Sequence, residues 1–226
     1  MKKTNNTVWH GRITSVAPTV AMFALALLVG CSSLLPPAPP PDNIYLLDAG
    51  MLSVSSPAKV ADAGSAPLPK RNLILAVSMP RARAGFDTAK MVWVRQAHGL
   101  ETYSRNRWAD TPAHMLAPLL AQALERSGTF HAVVQIPSAA SATLRLDTEI
   151  IRLQQNFSTR PSRVQFTLGA QLIDIGTRRV IASAEFDEIE NAATEDAYGG
   201  VLAANRALER LLVRLAAFCA EHATTP

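Results

Sequence analysis

Leu144-Arg145-Leu146-Asp147-Thr148-Glu149-Ile150-Ile151-Arg152-Leu153 is the stretch on which the fold turns. Leu144, Leu146, Thr148 and Ile150 alternate with charged residues, the period of a strand with one covered face. The apolar phase then shifts to Ile151 and Leu153, which predicts a β-bulge. Further on, Val164, Phe166, Leu168, Ala170 and Leu172 alternate cleanly, and Asp174-Ile175-Gly176-Thr177 has the composition of a turn. Val180, Ala182, Ala184 and Phe186 continue the meander. One apolar and one polar face per strand predicts antiparallel strands covered on one side.

The cover is a helix from about Glu195 to Ala220. Val201, Leu202, Asn205, Leu208, Leu211, Leu212, Leu215, Phe218 and Cys219 form one stripe at helical spacing, and Arg206, Glu209, Arg210 and Arg214 form the opposite face. Thr194, Glu195 and Asp196 suit its N-terminus, where a capping oxygen and negative charge are stabilising. Gly199-Gly200 falls in its first turn, and each glycine costs about 1 kcal/mol of helix propensity there. Close approach of the backbone to a strand is the preferred reason, with a ligand contact as the alternative.

Upstream, Asn43–Asp48 and Asn72–Met79 read as strands, the second stopped by Pro80. The segment between them, Gly50–Pro69, is rich in Ala, Ser, Pro and Gly and reads as a loop. Met91–Arg95 and Leu100–Ser104 form a hairpin around Ala97-His98-Gly99. A first helix opens at Asp110-Thr111-Pro112, with a cap candidate and a proline in the first turn. It carries Met115, Leu116, Leu119, Leu120, Ala123 and Leu124 inward and stops at Gly128. Pro118 inside this pattern implies a kink or a later start. Phe130–Ile136 returns as a strand. The sum is an α+β domain of two layers, a mostly antiparallel sheet with two helices packed on one face.

The N-terminus carries a different message. Lys2, Lys3 and Arg12 precede an apolar run from Val16 to Val29, and no acidic residue occurs before Asp42. The run is short for a bilayer span, which takes about 20 residues, and suits the apolar core of a signal peptide. It ends at Leu28-Val29-Gly30-Cys31, which looks like the lipobox read by lipoprotein signal peptidase. Residues 1–30 are then a removed signal, and Cys31 is the lipidation site. Residues 31–43 hold the lipidated cysteine and a spacer with Pro36, Pro37, Pro39, Pro40 and Pro41, a composition that favours extended polyproline II. Residues 44–226 form a single periplasmic domain. Ser32 and Ser33 follow the cysteine where inner-membrane lipoproteins often carry Asp, which favours the outer membrane.

Charge and cysteine content narrow the function. The net charge of +4 falls away with the signal, because three of the 22 basic residues lie there and 18 acidic residues remain. The nearly neutral remainder excludes a nucleic-acid protein. Cys31 is consumed by lipid, so Cys219 has no intramolecular partner and reads as a small buried hydrophobe. No cofactor fingerprint or metal spacing of Cys and His is present. Asp147 and Glu149 project from one face of a strand, an arrangement open to acid–base work and equally expected of a solvated face. His98, His114, His131 and His222 are scattered. Trp93 and Trp108 fit either a core or an interface, and Arg105 and Arg107 read as a solvated turn, with a lipid-headgroup or partner contact as the alternative.

Lipobox, proline spacer and Tyr45-Leu46-Leu47 are followed by Arg107-Trp108-Ala109-Asp110-Thr111-Pro112, then Leu116, Leu119, Leu120, Leu124 and Ser127-Gly128-Thr129-Phe130. With Leu144-Arg145-Leu146 and the Ala-rich last helix, this order resembles the ABC-type transport auxiliary lipoprotein family, similar to the lipoprotein subunit of Pqi-type systems. The resemblance implies a non-catalytic subunit, without cofactor. It also implies an MCE-domain periplasmic protein as partner, together with that protein's ABC permease and ATPase. Such systems move phospholipid or other hydrophobic molecules across the envelope. A homo-oligomer and a membrane contact through the anchor fit this picture. A periplasmic lipid-binding carrier is the alternative, and it requires a continuous apolar cavity. An envelope hydrolase would require Asp147, Glu149 and a histidine to converge.

Overall fold

The computed structural model describes residues 40–50 and 71–223. The signal, Cys31, most of the proline spacer and the predicted loop after Gly50 lie outside the described residues. Among these residues, nine strands and two helices follow in order: β1 Asn43–Tyr45, β2 Arg71–Val77, β3 Arg81–Ala82, β4 Lys90–Val94, β5 Glu101–Trp108, α1 Pro112–Arg126, β6 Phe130–Gln135, β7 Leu144–Asn156, β8 Arg163–Asp174, β9 Arg179–Asn191 and α2 Ala197–His222.

The sheet is organised around β7. One edge of β7 pairs with β8 along its whole length, and β8 pairs with β9, both antiparallel. Its other edge is shared end to end by three strands running parallel to it, β2 at Leu144–Leu146, β3 at Glu149–Ile150 and β4 at Gln155–Asn156. Outward from these, β6 lies parallel to β2, β5 antiparallel to β4, and β1 parallel to β5. The fold is α+β, as the alternation predicts. Its long ladders are antiparallel, and the short strands joined by α1 and the loops supply the parallel pairings. The register shift in β7 falls between Ile150 and Arg152, where the apolar phase changes.

Leu144, Leu146, Ile150, Phe166, Leu168 and Leu172 are fully buried and meet Leu116, Leu120, Leu208, Leu211 and Leu215 of the helices in one core. Each such side chain contributes about 1.5–3 kcal/mol. Ala203, Ala204 and Ala207 are also fully buried, and their small size lets α2 lie close on the sheet.

Both helices begin as their caps dictate. The Thr111 hydroxyl accepts from the His114 N–H, and the Asp196 carboxylate accepts from the Gly199 N–H at 2.7 Å. That bond, with a further one from Thr194, holds the Asp196 carboxyl below the usual carboxylate range. Helix α1 runs on through Pro118. Pro118 and His114 are exposed, so the carbonyl that loses its N–H partner four residues earlier faces water. Gly128 ends the helix with φ at 67°, the left-handed conformation of a helix terminator.

Two expectations shift. Arg105 and Arg107 lie in β5, which extends past Ser104 to Trp108 because β1 pairs with its last three residues. A strand exposed on both faces along most of its length carries no alternation to read. Asn205, placed in the apolar stripe of α2, is a clamp: its side-chain N–H donates to the Leu46 carbonyl and its oxygen accepts from the Asp48 N–H. Leu47 and Ala49 are buried beside it.

Candidate functional site

The face of β7, β8 and β9 turned away from the helices is open. Asp147, Glu149, Gln171, Ser183 and Glu185 line a groove of about 390 Å³ on it, with Arg81 and Arg83 at its rim. Arg83 and Ile151 also border a neighbouring hollow of about 600 Å³ under the β4–β5 hairpin. Asp147 accepts from the Ser78 hydroxyl at 2.6 Å and from Arg145 at 3.0 Å. Glu149 accepts from Arg83 at 3.3 Å. The two carboxylates thus share a face, as their spacing predicts, and each is held by an arginine.

The histidines stay elsewhere. His98 sits exposed at the hairpin tip with φ at 66°. His114 lies 3.2 Å from Asp110, and His222 donates to the Phe218 carbonyl at 2.9 Å. His131 is exposed on β6. The structure brings none of the four to Asp147 and Glu149, and among the described residues no cluster of His, Cys, Asp and Glu could hold a metal. Cys219 is fully buried, and burial pushes its thiol up to about 12.

The interior between sheet and helices is filled. A Cβ at Gly200 would collide with the Gln155 side chain, and one at Gly199 with Thr194. The glycine pair therefore serves close approach, to β7 and to the cap turn. Beside Gly200 the free space is about 10 Å³. Gln155 is buried and fully engaged: it accepts from the Tyr103 hydroxyl at 3.0 Å and donates to Ser162 at 3.0 Å. The Ser162 N–H donates to Glu195 at 2.8 Å. Burial first, then the negative charges of Asp196 and Glu195, hold the Tyr103 phenol well above its ordinary range. Trp108 is core, while Trp93 packs half-buried against Tyr103 and Phe157 under the Arg95 guanidinium.

A third arrangement lies beyond sequence patterning. Among the described residues, strand β9 has β8 as its neighbour on one side and no strand on the other. From α2, Arg206, Arg210 and Arg214 donate to the Asn191, Ile189 and Asp187 carbonyls, at 3.0, 3.3 and 3.4 Å. The same guanidiniums pair with Glu190 and Glu188 at 2.7–2.9 Å. Four helical residues rise about 6 Å and two strand residues about 6.8 Å, so the two ladders run nearly in step. The polar face read from the helical period is thus a row of edge contacts.

Among the described residues, the space beside α2 at Gly200 is small, and the face of β7, β8 and β9 away from the helices carries paired charges. Residues 52–216 match the family of ABC-type transport auxiliary lipoprotein components, and the chain belongs to that family. It is an envelope lipoprotein component of ABC-type transport. Among curated proteins none matches the chain. Among solved structures, protein XCC0632 from Xanthomonas campestris is 22% identical, covering 68% of this chain and 87% of that one at a TM-score of 0.63. An uncharacterized protein is 13% identical, covering 82% of this chain and 100% of that one at a TM-score of 0.56. At such identities the likeness shows the fold alone. Among the described residues, no helix is long and apolar enough to cross a membrane.

Proposed function

We propose that this protein docks the periplasmic MCE-domain subunit of an ABC transport system that moves phospholipid or other hydrophobic molecules across the envelope. Residues 1–30 are removed, Cys31 carries the lipid, residues 31–43 tether, and residues 44–226 dock. Ser32 and Ser33 favour the outer membrane as the site of the anchor. The family match over residues 52–216 carries this reading. The open groove beside Asp147 and Glu149 supports it, since its paired charges suit a polar protein surface.

A carrier would hold its cargo in an apolar pocket of about 300 Å³ or more. Beside Gly200 the space between sheet and α2 is about 10 Å³, so the layers hold no cargo there, and the larger hollows of about 390 and 600 Å³ are open clefts at the surface. A role without catalysis agrees with the separation of the four histidines from the acidic pair.

The test is a pull-down of the mature lipoprotein from envelope membranes, with identification of the proteins recovered. Recovery of an MCE protein with its permease and ATPase is expected. A bait that returns without them but with bound phospholipid replaces docking with the carrier reading.

A further inference from the structure

The outer strands β1, β5 and β4 carry a row of side chains that neither the core nor the groove uses. Ile44 is the register partner of Arg107, and Arg107 is the register partner of Lys90. Partners in register share a face, so the three stand side by side across three strands. All are exposed, Ile44 at 56%. Arg105, two residues before Arg107, is also exposed, and Leu46 follows Ile44 at 61% exposure. Tyr45 between them turns the other way, against Tyr198. The one acidic group recorded against this row is Asp42, 3.7 Å from Arg107. Lys90 and Arg105 have no acidic partner among the described residues.

We infer that this edge rests on the anionic phospholipid surface of the leaflet that holds the Cys31 lipid. Aliphatic side chains beside Lys and Arg match the headgroup region, where cations meet phosphates and the apolar tips reach the acyl boundary. The tether decides between a membrane and another partner. Ten residues separate Cys31 from Asp42, a reach of at most about 40 Å, and the chain enters the fold at β1, in the row itself. The lipid therefore delivers this edge, before any other part of the domain, to a surface of complementary charge, and raises its effective concentration there. The inference rests on the anchor reading above.

Flotation with vesicles tests it, using the mature chain from residue 31 with Cys31→Ser, so that the outcome does not depend on lipidation. Vesicles of phosphatidylcholine and phosphatidylglycerol at 7:3 are the probe, with pure phosphatidylcholine beside them. Binding to the anionic vesicles is expected, falling roughly a hundredfold in a Lys90→Gln/Arg105→Gln/Arg107→Gln variant and falling again in Ile44→Ser/Leu46→Ser. Circular dichroism establishes that each variant folds, and raised salt acts on the wild type without any substitution. Equal binding to neutral vesicles, no binding to either, or binding untouched by both neutralisation and salt overturns the inference. The pull-down of the MCE subunit is a separate readout, so failure of docking and failure of this contact are told apart.

Discussion

At Gly200 the side-chain amide of Gln155 already occupies the space a methyl group would need. Gln155 cannot swing aside without giving up its bonds to Tyr103 and Ser162. Gly200→Ala is therefore expected to destabilise by about 1–3 kcal/mol, read as a lower urea midpoint at unchanged slope. Thr148 predicts the opposite sign. Its hydroxyl is buried on the core side of β7 with no hydrogen-bond partner, and valine has the same shape without the polar atom. Thr148→Val should stabilise by about 1 kcal/mol, and a lower midpoint would show that the hydroxyl has an unseen role. Individual residues of this kind were partly legible in the sequence. A glycine pair in a helix's first turn demands a close neighbour, but nothing local names Gln155, 45 residues away, or Thr194 as the obstacle. For Asn205, polarity within an apolar stripe was the visible signal, and its partners were not, because they lie at the far end of the chain.

At the scale of elements, β9 is a 13-residue strand with one side unpaired by any strand. Such an edge invites pairing with another chain unless something covers it. The arginines of α2 provide that cover from Asp187 to Asn191, and an irregular register between Leu172 and Ile173 disturbs the far end. Replacing Arg206, Arg210 and Arg214 by alanine is expected to raise concentration-dependent self-association in light scattering above that of the wild type. The same contacts predict a pH dependence. Burial opposes ionisation of Glu188 and Glu190, but the facing arginines outweigh it and hold both carboxyls below their usual range. Groups depressed in the folded state stabilise it above the unfolded value, about 4.3 for glutamate, and lose that contribution as pH falls through the folded value. The stability gap between wild type and the triple variant should thus hold at neutral pH and narrow in acid below about pH 4. A gap that stays constant down to pH 2 would deny these pairs any electrostatic role. The helices were legible because caps and glycine stops are local chemistry, and the bulge in β7 because a phase change shows in any alternating strand. The end of β5 was not, since its pairing with β1 joins segments some 60 residues apart.

For the whole molecule, the anchor is the feature the sequence states most directly and that lies outside the described residues. Cys31→Ala is expected to abolish incorporation of labelled fatty acid and to shift the protein from the membrane pellet to the soluble periplasmic fraction. Unchanged labelling would place the lipid elsewhere. The class of the fold followed from alternation and helical stripes, whereas the order of strands did not. Three short strands share one edge of β7 because tertiary packing fits them end to end, and no periodicity encodes that.

The Asn205 clamp has a mechanical side. With the proposed lipid on Cys31 and the proposed docking partner in place, tension would run through the chain that joins them and would enter at β1, held to β5 along only three residues. Were that short pairing to slip, the next point of resistance is the side-chain amide bonded to the backbone on either side of Leu47, with Leu47 and Ala49 seated in the core beside it. Tension is then handed to the longest helix instead of peeling the sheet from its margin. Asn205→Ala removes that grip, at a static cost of roughly 1 kcal/mol visible as about fivefold faster amide exchange at Asp48, and in single-molecule stretching from the N-terminus the first rupture should come at lower force.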